Sequence, residues 1–190
     1  MNRRALSQLL KEAAFAGFTA ALLLVISPVL TFAIQHSDDW VKYNSKEGGY
    51  AVLFPGQPSV DSQEATTASG EKFTQYKATV QSGKVVYMIG YFDYTPPTVF
   101  SFDKARDGMV DSVKGTLLSE RSIRLGGAPG REVRLLARGS EVEYLMVARF
   151  YDIGRRVYVI QFIGPKSDET ELEERAARYF DSFQLVKTSQ

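Results

Sequence analysis

Cysteine is absent from the 190 residues, and histidine occurs once, as His36. The first absence rules out disulfide frameworks, thiolate metal sites and thiol nucleophiles. The second leaves no histidine-based triad and no paired-histidine zinc site, because His36 precedes the part of the chain that patterns as a folded domain. An excess of charge of one sign is missing too. The first 34 residues hold Arg3, Arg4, Lys11 and Glu12, and removing them from totals of 23 basic and 22 acidic residues leaves 20 against 21. A domain so close to neutral lacks the basic footprint with which proteins grip phosphate backbones, so no nucleic-acid partner is expected. No metal or organic cofactor is expected from this inventory either.

The one long apolar run is at the start. Ala13 to Ala33 spans 21 residues without a charged side chain behind a positively charged opening. At about 1.5 Å of rise per residue such a run reaches across a hydrocarbon core of about 30 Å, although Ser27 and Pro28 interrupt it. Two readings fit. Residues 1–34 are either a signal peptide, with Thr31-Phe32-Ala33 as a small-residue cleavage site, or an N-terminal membrane anchor. Arg3-Arg4 is faintly like a twin-arginine export signal. Basic residues before the run and Asp38 and Asp39 after it orient the domain outward in both readings, so an exported, periplasmic or otherwise extracytoplasmic location is expected. Residues 35–39 form a linker. At 44% hydrophobic and 24% charged, the chain has ordinary globular composition, and residues 40–190 are of a size for a single domain.

Glu141 to Gly164 carries the strongest pattern. Val142, Tyr144, Met146, Ala148 and Phe150 point to one side of a strand, with Leu145 and Val147 on the other. Val157, Val159 and Ile163 alternate with Tyr158, Ile160 and Phe162 in the return strand. Both faces are apolar at mid-strand, which predicts a hairpin in the middle of a sheet with cover on each face. Asp152-Ile153-Gly154 is the expected turn. Trp40–Ser45 with Tyr50–Phe54, and Phe73–Gln81 with Lys84–Tyr94, predict two further hairpins. Residues 59–71 are polar and predict a surface excursion with at most a short edge strand. Ser101 is placed to cap a helix bearing Phe102, Ala105, Met109, Val110, Val113 and Leu117 on one face, with Gly108 and Gly115 implying close approach to the sheet or an early end. Strands at Arg121–Leu125 and Glu132–Ala137 flank a Gly126–Gly130 loop. A closing helix bears Leu172, Ala176, Tyr179, Phe180 and Phe183, with Asp168 and Glu171 as a capping box.

Few residues suggest chemistry. Glu141 and Glu143 share a strand face at a spacing of about 7 Å, compatible with an acid/base pair, but a strand end is also where solvated charges sit. Leu125–Glu132 is glycine-rich like a phosphate cradle, yet it runs from strand to strand with no helix N-terminus to receive an anion. Glu169, Glu171, Glu173 and Glu174 spread around a helix and do not converge. Ten tyrosines and twelve phenylalanines are many for one domain. Most strand tyrosines fit a core role, and Tyr94 and Tyr151 are the candidates for an exposed aromatic binding surface near the sheet edges.

The entry Trp40 to Pro58, the later Ala128 to Glu132 (APGRE) and the closing Phe180 to Leu185 (FDSFQL) resemble a widespread group of exported bacterial domains. The order of elements is similar to the PsbP/Mog-like superfamily. That resemblance implies an α+β fold, a curved antiparallel sheet of six to eight strands packed between helices in an α/β/α sandwich. It also implies an accessory, non-catalytic role. The aromatic surface predicts an envelope protein or an apolar ligand as partner, and the apolar run predicts membrane contact through residues 13–33 if these stay attached. A carboxylate-based envelope enzyme is the alternative.

Overall fold

The computed structural model describes residues 40–66, 72–95, 98–139 and 142–186. The expectations for residues 1–34, and for Glu141, fall outside these. Among the described residues no helix is long and apolar enough to cross a membrane.

Among the described residues ten strands and two α-helices follow one another: β1 (Val41–Ser45), β2 (Tyr50–Phe54), β3 (Ser59–Thr66), β4 (Lys72–Ser82), β5 (Val85–Asp93), α1 (Phe102–Ser112), β6 (Thr116–Leu125), β7 (Ala128–Arg138), β8 (Glu143–Ile153), β9 (Arg156–Pro165), α2 (Glu169–Asp181) and β10 (Gln184–Leu185). Seven strands form one antiparallel sheet in the order β3-β4-β5-β9-β8-β7-β6, and a second sheet runs β1-β2-β10. As the apolar alternation predicts, β8 and β9 are interior strands with both faces covered. Leu145 and Val147 join Ile160 and Phe162 on one face, while Ala148 and Phe150 join Val157 and Val159 on the other.

The covers differ from a sheet held between helices. Phe102, Ala105 and Met109 of α1 cover one face. On the other face α2 shares the work with the three-stranded sheet, whose Tyr50, Val52 and Phe54 are all at most 2% exposed and pack with Tyr179 and Phe180 of α2. The domain is therefore a sheet-rich α+β fold rather than a helix-flanked sandwich. The reason lies in β2: it is apolar on both sides, so it buries one side on the large sheet instead of extending it.

Several local expectations are also corrected. Ser59–Thr66 is a full eight-residue edge strand, held only by pairing with β4 and exposed along most of its length. Ser101 does cap α1, its Oγ accepting from the Lys104 amide at 3.3 Å. The helix stops at Ser112, however, and Leu117 belongs to β6. Lys114 turns left-handed at φ 47°, and the Gly115 amide donates back to the Val110 carbonyl at 2.9 Å. A Cβ on Gly115 would lie 2.9 Å from the Leu136 carbonyl oxygen, so glycine permits this passage against β7. The long hairpin closes on Gly154-Arg155, because Ile153 pairs with Arg156. Asp168 sits at the N-cap of α2 but its side chain makes no capping bond, since a 3-10 turn at Lys166–Asp168 precedes the helix.

Candidate functional site: a cleft beneath the second helix

A two-residue turn at Gly126-Gly127 sets the register of β6 against β7 and places Arg121 opposite Glu132. On the next strand Glu132 faces Arg149. The three side chains thus form one row across three strands on the face that carries α2. Arg121 Nε donates to Glu132 Oε1 at 2.7 Å and Arg149 Nε to Oε2 at 2.7 Å. Glu132, at 6% exposure, is the one buried carboxylate among the described residues. Burial pushes its carboxyl upward, but the hydrogen bonds and charges of the two guanidiniums outweigh that and hold it below the usual carboxylate range. Hydrogen bonding to Glu132 raises Arg121 in turn.

This row borders a cleft of about 230 Å³ between the sheet and α2. Its floor is Leu145, Val147 and Phe162, and its helical wall includes Leu172, Ala176, Ala177 and Phe180. The Arg149 guanidinium stands 4.6 Å over the Phe180 ring, with Nη1 3.5 Å from Asp181 Oδ1. Arg134 closes another side through Nη2 to Glu173 Oε1 at 3.0 Å. The helix sits low over the sheet because Gly164 leaves room for it: a Cβ there would fall 2.5 Å from Leu172 Cδ2. The arrangement is a cleft of mixed character, with guanidiniums and carboxylates at its rim above a closely packed apolar floor. A second, more polar cleft of about 340 Å³ lies where α2 meets β2, lined by Lys42, Leu53 and Ser182 among others. There the Ser182 Oγ accepts from the Leu53 amide at 2.9 Å and donates to the Tyr179 carbonyl at 2.6 Å, tying helix to strand.

The candidates read from the sequence lie elsewhere or serve other ends. Tyr94 is half-buried and donates its hydroxyl to Asp152 Oδ1 at 3.0 Å, packing with the α1 side of the sheet. Tyr151 is not exposed: at 5% it belongs to the opposite face, stacked on Phe183 with centroids 6.0 Å apart and planes at 11°. The structure does not bring the two tyrosines onto one surface. Tyr151 lies instead next to the arginine row, where burial raises its hydroxyl and the nearby Arg149 charge opposes the rise. Glu143 is 44% exposed and bridges Arg138 at 3.7 Å and Lys166 at 3.5 Å, a solvated ion pair at a strand end. The glycine-rich stretch is the β6–β7 turn, where Arg124 Nη1 donates to the Gly127 carbonyl at 2.8 Å. Among the described residues no group of three histidine, aspartate or glutamate side chains converges to hold a metal ion. The sequence reading missed Arg121, Glu132 and Arg149. The signal available was Gly126-Gly127 as a two-residue hairpin turn, which alone pairs position 121 with 132.

These features define a class: a sheet-rich α+β domain with a cleft beneath its second helix that is rimmed by arginines. Its fold is PsbP-like. The solution structure of cyanobacterial PsbP (CyanoP) from Synechocystis sp. PCC 6803 is similar with a TM-score of 0.51 at 10% identity, over 84% of this chain and 100% of that one. The PA94 protein of Pseudomonas aeruginosa aligns at TM-score 0.44 and 11% identity, over 80% of this chain and 99% of its own. LpqN of Mycobacterium tuberculosis, described as involved in cell envelope biogenesis, aligns at TM-score 0.41 and 9% identity, over 70% of this chain and 87% of its own. No family model and no curated protein matches the chain.

Proposed function

We propose that this is a non-catalytic accessory domain of the cell envelope that acts by binding, with the cleft beneath α2 as its site. The observation that carries this reading is the state of Glu132. It is buried beside the cleft, where a catalytic carboxylate would be expected, yet both its oxygens accept from guanidiniums at 2.7 Å. An acid or base for chemistry near neutral pH needs a carboxyl raised toward neutrality, and Glu132 is shifted the other way. The row instead fixes the orientation of the arginines at the rim of the cleft, as a recognition surface requires. Support for an envelope location comes from the basic start and the charge-free run of residues 13–33.

The test uses a photo-cross-linking residue at Ala177, which is exposed and lines the cleft, in the full chain produced in its native host. The same residue at Val60, 62% exposed on the β3 edge, is the control. The expected result is an adduct at position 177 and none at 60. Equal labelling at both positions, or none at 177, overturns the reading. Restoration of function by a chain carrying Glu132→Ala, with cross-linking at 177 abolished, would also overturn it.

A further inference from the structure

The two edges of the large sheet differ in what they offer. At one edge β3 carries Asp61 and Glu64 and no basic side chain, so two copies of it have no charges that attract across a shared edge. The Ser62 amide of that strand is already taken up by Asp61 Oδ1 at 2.7 Å. At the other edge β6 carries both signs, with Glu120 four residues before Arg124 and Ser122 midway between them. The two-residue turn at Gly126-Gly127 also fixes which backbone groups of β6 are engaged. Leu125 and Ala128 flank it as a hydrogen-bonded pair, and bonded and non-bonded pairs alternate from there along the hairpin. Leu125, Ile123 and Arg121 therefore turn their backbone groups toward β7, whereas Arg124, Ser122 and Glu120 turn theirs outward. Pro129, which has no N–H to give, stands opposite Arg124, where this alternation requires no bond. Among the described residues no strand pairs with that outer side. The bulge between Leu117 and Ser119 leaves the stretch from Ser119 to Leu125 regular.

We infer that β6 is a dimerisation edge whose partner is a second copy of this chain, antiparallel about a twofold axis at Ser122, so that two seven-stranded sheets become one. The register follows from the strand itself. Outward backbone groups must meet one another, so even-numbered residues face even-numbered residues. With Ser122 opposite Ser122, Glu120 of each copy faces Arg124 of the other, twice by symmetry. An axis at Glu120, Arg121 or Arg124 sets like charges opposite each other, and one at Ile123 leaves Glu120 opposite the Gly126 turn. Arg124 is exposed and donates through Nη1 to the Gly127 carbonyl, which leaves other donors of its guanidinium for the second copy. On the receiving side, Glu120 belongs to a cluster of ion pairs in which Arg106 and Arg131 meet Asp103, Asp107 and Glu120, two guanidiniums against three carboxylates. A further guanidinium evens that count. The two Arg121 side chains meet only diagonally across the axis, each already bonded to its own Glu132.

The chain has no cysteine, so a single introduced thiol reports a single distance. The full chain is used, in mild detergent that disperses the apolar run of residues 13–33. Ser122 is exposed, and Ser122→Cys is expected to oxidise to a covalent dimer. Facing residues of a hydrogen-bonded pair stand about 5.5 Å apart between Cα atoms, within reach of a disulfide. Ser119→Cys is expected to stay monomeric, because at about 3.4 Å per residue its two copies stand about 20 Å apart in this register. Ser62→Cys, on the β3 edge, is expected to stay monomeric too. Arg124→Glu added to Ser122→Cys is expected to lower the yield of dimer about tenfold, because two attractive cross-strand pairs become repulsive, whereas Arg124→Lys keeps it. Sedimentation of the wild-type chain is expected to show dimers and nothing larger. No covalent dimer from Ser122→Cys, an equal yield from Ser119→Cys or Ser62→Cys, or a yield indifferent to Arg124→Glu overturns the inference. Species larger than a dimer that grow with concentration would overturn it in favour of β6 pairing with β3 of the next copy.

Discussion

Arg156 grips Asp93 with two parallel bonds across the β5–β9 pair, Nε to Oδ1 at 2.6 Å and Nη2 to Oδ2 at 2.7 Å. The same guanidinium donates through Nη1 to the Glu47 carbonyl at 2.7 Å and stands 4.6 Å over the Tyr91 ring. Tyr158 adds a bond from its hydroxyl to the Gly48 carbonyl at 2.6 Å. Together they clip the β1–β2 turn to the large sheet. Lysine cannot reproduce the fork, so Arg156→Lys is expected to cost about 1–2 kcal/mol, moderated by the exposure of Asp93. Chemical denaturation measures the loss, and faster amide exchange confined to the β1–β2 hairpin would locate it. An unchanged denaturation midpoint would show that the clip is incidental.

Glu132 gives the domain an acid-sensitive element. Its folded-state carboxyl is held below the ordinary value, so its contribution is complete above the unfolded value of about 4.3 and is lost as pH falls through the folded one. Glu120, also held down despite partial burial through Arg131 and Arg106, acts in the same direction on the α1 side. Glu132→Gln is expected to cost about 1–3 kcal/mol at pH 7, because Arg149 loses a charged acceptor. It should also flatten the fall in stability below about pH 4. Denaturation midpoints across an acid series, wild type against variant, measure both effects. Parallel curves would contradict the assignment.

The alkaline side is governed by tyrosines. Burial pushes Tyr87 and Tyr91 up to about 12, the first against the pull of Arg175 and the second against that of Arg156. Tyr50 and Tyr179 are raised further. An unfolded tyrosine ionises near 10, so stability is full below about pH 10 and is lost as pH rises through the folded values. In a spectrophotometric titration these four are expected to stay protonated at about pH 11 and to ionise together with unfolding. Ionisation of all ten tyrosines near pH 10 in a protein still folded by circular dichroism would refute this.

Phe180, 4% exposed, holds α2 to the sheet and lies under the Arg149 guanidinium. Phe180→Ala is expected to cost about 3–5 kcal/mol through lost transfer energy and the cavity left behind. Against a total of about 5–15 kcal/mol that is a large share of the stability. A denaturant midpoint within error of wild type would mean that α2 is not an essential cover.

What could be read from the sequence was whatever a short window encodes. Tyr144, Met146, Ala148 and Phe150 on one side with Leu145 and Val147 on the other announced a two-faced interior strand, and Ser101 announced a helix start, because alternation and capping are local. Ser59–Thr66 was under-read because an edge strand exposed on both faces has no apolar alternation, and its pairing with β4 supplies the order instead. Leu117 fitted the helical period by coincidence, since nothing in its own window shows that Lys114 reverses the chain. Tyr151 looked available because its cover, Phe183, arrives from beyond α2. The arginine row was the hardest to see: its three members come from three strands, and only their register makes them neighbours.

The pairing of β10 with β2 sets an order of events for the chain. Gln184 meets Ala51 and Leu185 meets Tyr50, so the small sheet waits for the far end of the domain before it is complete. Contacts between such distant positions carry a large loop-closure cost and form late. A chain that emerges N-terminus first keeps β2 without its third strand until residue 185 has emerged. Pulse-labelled hydrogen exchange during refolding should find the amides of Tyr50 and Ala51 protected after those of β8 and β9, and the reverse order would reject this sequence. The fold thereby makes one face of its core wait for the last strand of the domain, so β1 and β2 lack their full sheet until Gln184 and Leu185 are in place.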